Sequence, residues 1–453
     1  MKSSILHRIP IQPPIAREAK GIYITLEDGN VFIDACGGAL VTAVGHCHPT
    51  VIRAIEEQIG KLTFLWSMSV SNSPAEELAK LLVEDSDGAF NAATFYNGGS
   101  ESVEAAMKVT KQYFFQKNEP QRVKFIARER SYHGDTISTL SLTGGNPYTA
   151  PFNDLYDKEH FHRVSAVYPF RNAAKAGGDA AYVASLIREL DDKFQELGPD
   201  TVCAFIAEPI AGAGLGIVKA PDGYFEGVRK ICDKYGALLI YDEVLCGQGR
   251  LGTTHAWQSL GEKDRAVRPD LQTIGKCLGG GYAPIAALLF SQKVSDGIKI
   301  NGNWLRHGHT YSNHILSCTA ALAVQRLIKS ENLLENVNAI GPYIEKKLKL
   351  SLKDSDLAPF VADIRGGGTL WGIEFSLEFV GKIAGFFPIF CYQENLLAVA
   401  VPGTPPNDDS SFSGIGDYTS IAPPFNVSKE EVDMIIEKFS RALRNTLKNL
   451  QLL

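Results

Sequence analysis

The chain has 453 residues, 45% of them hydrophobic and 21% charged, which is enough for a large buried core and too long for one ordinary compact domain, so two or three structural units are expected. Lysine and arginine total 45 against 51 aspartate and glutamate, a formal net charge of -6; without a basic excess to neutralise a phosphate backbone, nucleic acid is not an expected partner. No apolar run approaches the ~20 residues of a membrane helix, and the 8 cysteines are scattered without a CxxC pair, so a cytoplasmic chain with no membrane partner is expected.

The opening residues have too short an apolar run for a secretory signal and are broken by Pro10, Pro13 and Pro14; they read as an extended arm. Gly21 to Asp34 alternates like a small meander. Short, nearly continuous apolar runs at Val123–Ala127, Val202–Ala207, Ala237–Tyr241 and Ala286–Phe290 predict strands buried on both faces, as in a parallel sheet. Helical spacing over Ala180–Glu196 and Phe225–Tyr235 separates some of them, which predicts an α/β unit with crossover connections. Near the end, Ser428 followed by Glu431 forms a capping box that opens an amphipathic helix. A large unit at 46–315 is expected, with residues 1–45 and 316–453 forming a smaller α+β unit beside it.

Chemistry is concentrated in three places. At Tyr96-Asn-Gly-Gly-Ser-Glu-Ser102, glycines give way to a helix-forming run. Free amides at Gly99 and Ser100, the Ser100 hydroxyl and the helix dipole suit a phosphate; taken alone, the segment reads first as a plain serine cap on a helix. Asp242 ends the apolar strand Leu238-Leu-Ile-Tyr-Asp, at the edge where open α/β sheets place their sites. A carboxylate there either holds a ring nitrogen protonated or caps the next loop. Lys276 ends another apolar run just before Gly279-Gly-Gly281; partial desolvation in such a place makes an amine nucleophilic toward an aldehyde. A phosphate loop, a ring-nitrogen carboxylate and an aldehyde-binding lysine are together the contacts that pyridoxal 5'-phosphate (PLP) requires.

These motifs make the chain resemble the class III, ω-amino acid type aminotransferases of PLP fold type I. The likeness runs from about Gly21 to Pro424 and includes Gly45-His-Cys-His-Pro49, Gly98-Gly-Ser-Glu-Ser102, Tyr132-His-Gly-Asp-Thr136, Ala207-Glu-Pro209, Asp242-Glu-Val244, Gly247-Gln-Gly-Arg-Leu-Gly252, Lys276, His309-Thr-Tyr311 and Ala422-Pro-Pro424. His46 and His48 fall in the family's glycine-histidine turn, which implies structural hydrogen bonding and no metal. The resemblance implies a fold type I architecture, a mostly parallel sheet in the large domain and a smaller domain made from both termini. It implies that Gly99 and Ser100 bind the phosphate, Tyr132 and Val244 cover the two ring faces, Asp242 pairs with the ring nitrogen and Glu208 supports that network. Lys276 carries the cofactor and shuttles the proton. Thr310 reaches the phosphate of a neighbouring subunit, which implies a homodimer with shared sites. The implied activity is ping-pong transfer of an amino group from an amine or ω-amino acid to a keto acid or aldehyde. An aminomutase, racemase or decarboxylase on the same scaffold, or a non-catalytic descendant, are alternatives, because the cofactor contacts do not choose the reaction.

Several positions depart from the pattern. Asp135 stands where many α-amino acid enzymes carry arginine, and the YHGDT form points to the ω-amine branch. That branch often uses an arginine near the C-terminal Pro-Pro segment, yet no lysine or arginine lies between Lys382 and Lys429. Ala211 replaces a glutamine, Gly98 a serine, and residues 404–413 form a polar loop where relatives are glycine-rich. Trp66 and Met68, in Phe64-Leu-Trp-Ser-Met-Ser-Val70, fall where relatives line the substrate pocket; filling a domain interface suits them equally.

Overall fold

The computed structural model describes residues 3–144, 147–405 and 414–453. Seven strands form the central sheet in the spatial order Ala92–Tyr96, Ala286–Phe290, Leu271–Ile274, Leu238–Asp242, Val202–Ala207, Lys124–Arg128 and Phe161–Val164. The last five pair in parallel. Every residue of the strands Val202–Ala207, Leu238–Asp242, Leu271–Ile274 and Ala286–Phe290 is buried, as strands covered by helices on both faces must be.

Ala286–Phe290, expected from its apolar run to behave as a parallel strand, instead runs antiparallel to both neighbours. The cause is the short connection after Ile274, which reverses through the Lys276 turn and holds a single 3-10 turn, Lys276–Leu278, in place of a crossover α-helix. A parallel return needs a crossover of a dozen or more residues. The turn that presents Lys276 and the reversal of this strand are therefore one feature.

Outside the central sheet, Ala16–Lys20, Tyr23–Leu26 and Val31–Asp34 form a meander whose last strand pairs with Leu396–Leu397. A second sheet joins Val361–Gly367, Leu370–Phe375, Tyr418–Ile421 and Ala400–Val401. The helix Lys429–Asn449 begins at the capping box, with the Ser428 side chain accepting from the Glu431 amide. Its apolar face, including Ile435, Phe439 and Leu443, packs into a core with Ile373, Phe375 and Phe387. No helix among the described residues is long and apolar enough to cross a membrane.

Arg250 ties both ends of the chain to the central unit. Its guanidinium is fully buried, donates to the carbonyls of Pro423 (2.6 Å) and Thr42 (2.8 Å), and lies over the Phe425 ring at 5.2 Å. Arg250→Met fills similar space but leaves two buried acceptors without a donor, at about 1–3 kcal/mol for each. A loss of about 3 kcal/mol or more is expected in denaturant unfolding, and an unchanged midpoint would refute the assignment.

Candidate active site

The strand ends gather Gly99, Ser100, Tyr132, Glu208, Asp242, Val244 and Lys276 from among the residues singled out from the sequence. The strand Ala92–Tyr96 feeds Asn97-Gly98 and then the helix Gly99–Gln116. The Glu101 carboxylate accepts from the amides of Asn97 (2.8 Å) and Gly98 (3.1 Å), and the first helical bond runs from the Ser102 amide to the Gly98 carbonyl. The Gly99 and Ser100 amides precede that bond and point along the helix axis, the arrangement that attracts an anion. The Ser100 hydroxyl accepts from the Asp135 amide at 3.0 Å, so its own proton is left to be donated. This bond brings the Tyr132–Thr136 segment against the helix end. Only glycine suits position 134: φ is +132° and a Cβ would sit 2.6 Å from the Ser100 Oγ.

Asp242 is buried and its two oxygens face different partners. Oδ2 is 2.7 Å from Nδ1 of buried His133, whereas Oδ1 accepts from the Thr273 hydroxyl at 3.0 Å and the Val244 amide at 3.1 Å. The carboxylate is thus fixed by the neighbouring strand Leu271–Ile274, by the loop after Lys124–Arg128 and by its own chain two residues on.

Val244 joins the motifs physically. A Cβ added to Gly99 would lie 2.7 Å from Val244 Cγ1, and one added to Gly275 would lie 3.3 Å from the same methyl. One isopropyl group therefore touches the helix start and the residue before Lys276.

Lys276 adopts a left-handed backbone with φ +41°, a conformation that costs a non-glycine residue of order 1–3 kcal/mol. Its Nζ donates to the carbonyl of Ala39 at 2.9 Å. Burial pushes its pKa down, opposed by the thiol of Cys277 and the carboxyls of Asp242 and Glu208. The Ala39 carbonyl comes from the Gly37–Val41 segment, far away in sequence.

Glu208 follows the strand Val202–Ala207. Its Oε1 accepts from the Gly212 amide at 3.3 Å, its carbonyl accepts from Arg128 at 2.6 Å, and Oε2 is buried without a partner among the described residues. Burial pushes the carboxyl up from 4.5 to about 7, partly offset by His133 and Arg128. Between those values the folded chain keeps a proton that the unfolded chain releases, so this contribution to stability is present at acid pH and lost as pH rises to about 7. Glu208→Gln removes that titration. The apoprotein variant is expected to lose less melting temperature between pH 5 and 8 than the parent, and equal losses would exclude Glu208 as the source.

Tyr132 is half-buried, and burial together with nearby Asp135 raises its phenol pKa. Trp66, Met68 and Thr310 lie elsewhere. They line a groove of about 860 Å³ with Phe64, Trp304 and His309, in which Trp66 and Met68 are 55% and 79% exposed. The groove approaches the site only at its edge, where His309 Nε2 is 3.7 Å from the Glu101 carboxylate. The polar loop expected at 404–413 lies outside the described residues over 406–413; at its start, Thr404 Oγ1 accepts from the Arg130 guanidinium at 3.0 Å.

Three contributors were not singled out from the sequence. Thr273 carried a signal, a hydroxyl inside an apolar strand three residues before the lysine. His133 lay within a quoted motif without an assigned role. Ala39 gave no side-chain signal, because its contribution is a backbone carbonyl.

Comparison with known proteins accords with this geometry. The family model for Aminotransferase class-III matches residues 9–443. An uncharacterized aminotransferase of Schizosaccharomyces pombe is 37% identical over 96% of this chain and 94% of its own length. The chloroplastic gamma aminobutyrate transaminase 3 of Solanum lycopersicum is 33% identical over 97% of this chain and 82% of its own. Among solved structures, the omega transaminase from Pseudomonas jessenii in complex with PMP superposes with a TM-score of 0.86 at 30% identity, covering 97% of this chain and 94% of that one. The fold is that of the fold type I PLP-dependent transaminases. The chain belongs to the class III aminotransferases, and its activity is transfer of an amino group with PLP as cofactor.

Proposed function

We propose that the reaction runs at Lys276, in two half-reactions, from an amine or ω-amino acid donor to a keto acid or aldehyde acceptor. The observation that carries the reading is the Lys276 amine itself, desolvated and resting on one neutral carbonyl. It follows Gly275, whose neighbour Val244 also touches Gly99 at the helix end.

PLP fits these residues. The helix end offers Gly99, Ser100 and the Ser100 hydroxyl to a phosphate, Asp242 offers a fixed carboxylate to a ring nitrogen, and Glu208 Oε2 is a buried polar atom without a partner among the described residues. Bound there, the cofactor supplies an aldehyde for amines and a ring that withdraws electrons from the substrate carbon. Lys276 would hold the aldehyde end of the cofactor and would move the proton at the substrate carbon. Its lowered pKa keeps more of the amine neutral and able to accept that proton. Asp242 keeps the ring nitrogen protonated, with His133 and Thr273 holding the carboxylate in place. Tyr132 and Val244 confine the ring between them, and Glu208 supports the hydrogen-bonded network around it.

The exposed groove with Trp66, Met68 and Thr310 supports a homodimer. Phe64, Trp66, Met68 and Trp304 are all exposed there, and Thr310 lines the same groove as His309, which lies beside Glu101. In this reading Thr310 reaches the phosphate site of a second copy, and Trp66 and Met68 lie along the path of an apolar substrate. A sedimentation measurement is expected to find dimers, and Thr310→Ala is expected to weaken cofactor retention. A fully active monomer would defeat the shared-site reading. The described cysteines are all free, which supports a reducing compartment, and the cytoplasm is our proposed location.

The function is tested with a panel of amines, ω-amino acids and keto acids followed at the cofactor absorbance. Competent donors shift the spectrum and yield a stoichiometric carbonyl product, and an acceptor restores the spectrum. Loss of CO2 or inversion of the amine without carbonyl product would replace this reading with decarboxylation or racemisation.

A further inference from the structure

A second cavity lies behind the segment whose Ala39 carbonyl receives the Lys276 amine. It is an open cleft of about 420 Å³, with Gly37 and Gly38 on one side and Tyr392, Leu397 and Val399 on another. Its walls are mainly apolar, and its polar end is formed by Asp34 and His46.

The Asp34 carboxylate is almost fully buried. Oδ1 accepts from the amides of Cys36 (3.2 Å) and Gly38 (3.3 Å), while Oδ2 lies 3.5 Å from His46 Nε2. Burial disfavours its charge, but the bonds from His46, Gly38 and Cys36 prevail and hold its pKa below the usual value. The adjacent Cys36 thiol is pushed up to about 12 by burial, so it adds no charge. The two glycines differ. A Cβ at Gly37 would collide with Thr42 Oγ1 at 2.4 Å, whereas one at Gly38 would meet nothing within 4 Å. The bare Cα of Gly38 thus faces open space, and Val399, 54% exposed, stands at the rim.

An apolar cleft of this size with a carboxylate at its polar end, where the ammonium group would share Asp34 with His46, suits a small protonated amine with an apolar body. We propose that this cavity is a second, non-reacting site for such amines, and that its occupation is felt at Lys276 through the Gly38–Ala39 peptide. The coupling path is short. The Asp34 carboxylate that would receive the ammonium group also holds the Gly38 amide, and the next residue's carbonyl holds the lysine.

The test uses the holoenzyme and N,N-dimethylbenzylamine, a tertiary amine that cannot form an imine. Calorimetry is expected to show saturable binding of one molecule per chain. Val399→Trp, which obstructs the rim from an exposed position, is expected to weaken binding at least tenfold, and Asp34→Asn, which keeps an acceptor but loses the charge, to do the same. In steady-state assays with a reactive donor, the probe should lower kcat without raising KM for that donor. Absence of binding, equal affinity in the parent and Val399→Trp, or inhibition purely competitive with the donor would each overturn the proposal, the last by placing the probe at the catalytic centre.

Discussion

Lys276→Ala is expected to lower kcat by about 10⁴-fold or more, because one side chain is asked both to hold the cofactor aldehyde and to move the substrate proton. The absorbance of covalently attached cofactor should vanish while the fold persists. Among the described residues the side chain hydrogen-bonds the Ala39 carbonyl alone, so its removal leaves one acceptor to be hydrated. The left-handed backbone at φ +41° is no more strained in the variant, because alanine carries the same Cβ as lysine. Added methylamine, a small surrogate for the missing group, should restore part of the proton-transfer rate, which it would not do for a damaged fold. A variant retaining parental turnover would end the assignment of this lysine.

Asp242→Ala is expected to cost on the order of 10³-fold in kcat, the scale for removing one preorganised electrostatic partner from a buried site. Cofactor should still bind, since the helix end and Lys276 remain. Asp242→Asn separates charge from shape. Its amide oxygen can still accept from Thr273 and the Val244 amide, but its NH2 would face His133 Nδ1, now 2.7 Å from a carboxylate oxygen. If the carboxylate serves only to order the loop, Asn should work nearly as well as Asp. If it holds the ring nitrogen protonated, Asn should fall close to Ala, with the cofactor absorbance and its pH profile displaced. Near-parental turnover in both variants would remove Asp242 from the chemistry.

Much of the central sheet was legible because strands covered on both faces must be apolar throughout: the runs ending at Ala207 and Asp242 became strands with nearly the same bounds. The final helix was legible through Ser428 and Glu431, a local hydrogen-bond pattern written into four residues. Strand direction was less so. Ala286–Phe290 has the composition of a parallel strand, and only the length of its connection to Ile274 reveals the reversal. At the candidate site, side-chain chemistry left signals at Lys276, Asp242 and Ser100, whereas Ala39 contributes through its backbone across a sequence separation of 237 residues. No residue type announces such a contact. Trp66 and Met68 show the opposite limit: their apolar character marked them, but their place in an exposed groove depended on the fold.

The buried Arg250 also sets an order of events in synthesis. All seven central strands lie between Ala92 and Phe290, so they can be complete on the ribosome while the chain beyond is still being made. The Pro423 carbonyl that receives Arg250 is made 173 residues later. Until it emerges, a guanidinium destined for a dry interior remains hydrated and the N-terminal Thr42 strap lacks its final clamp. Premature release would therefore produce a chain with a nearly finished scaffold and an unsealed seam, a species suited to recognition by chaperones or proteases before it could retain cofactor.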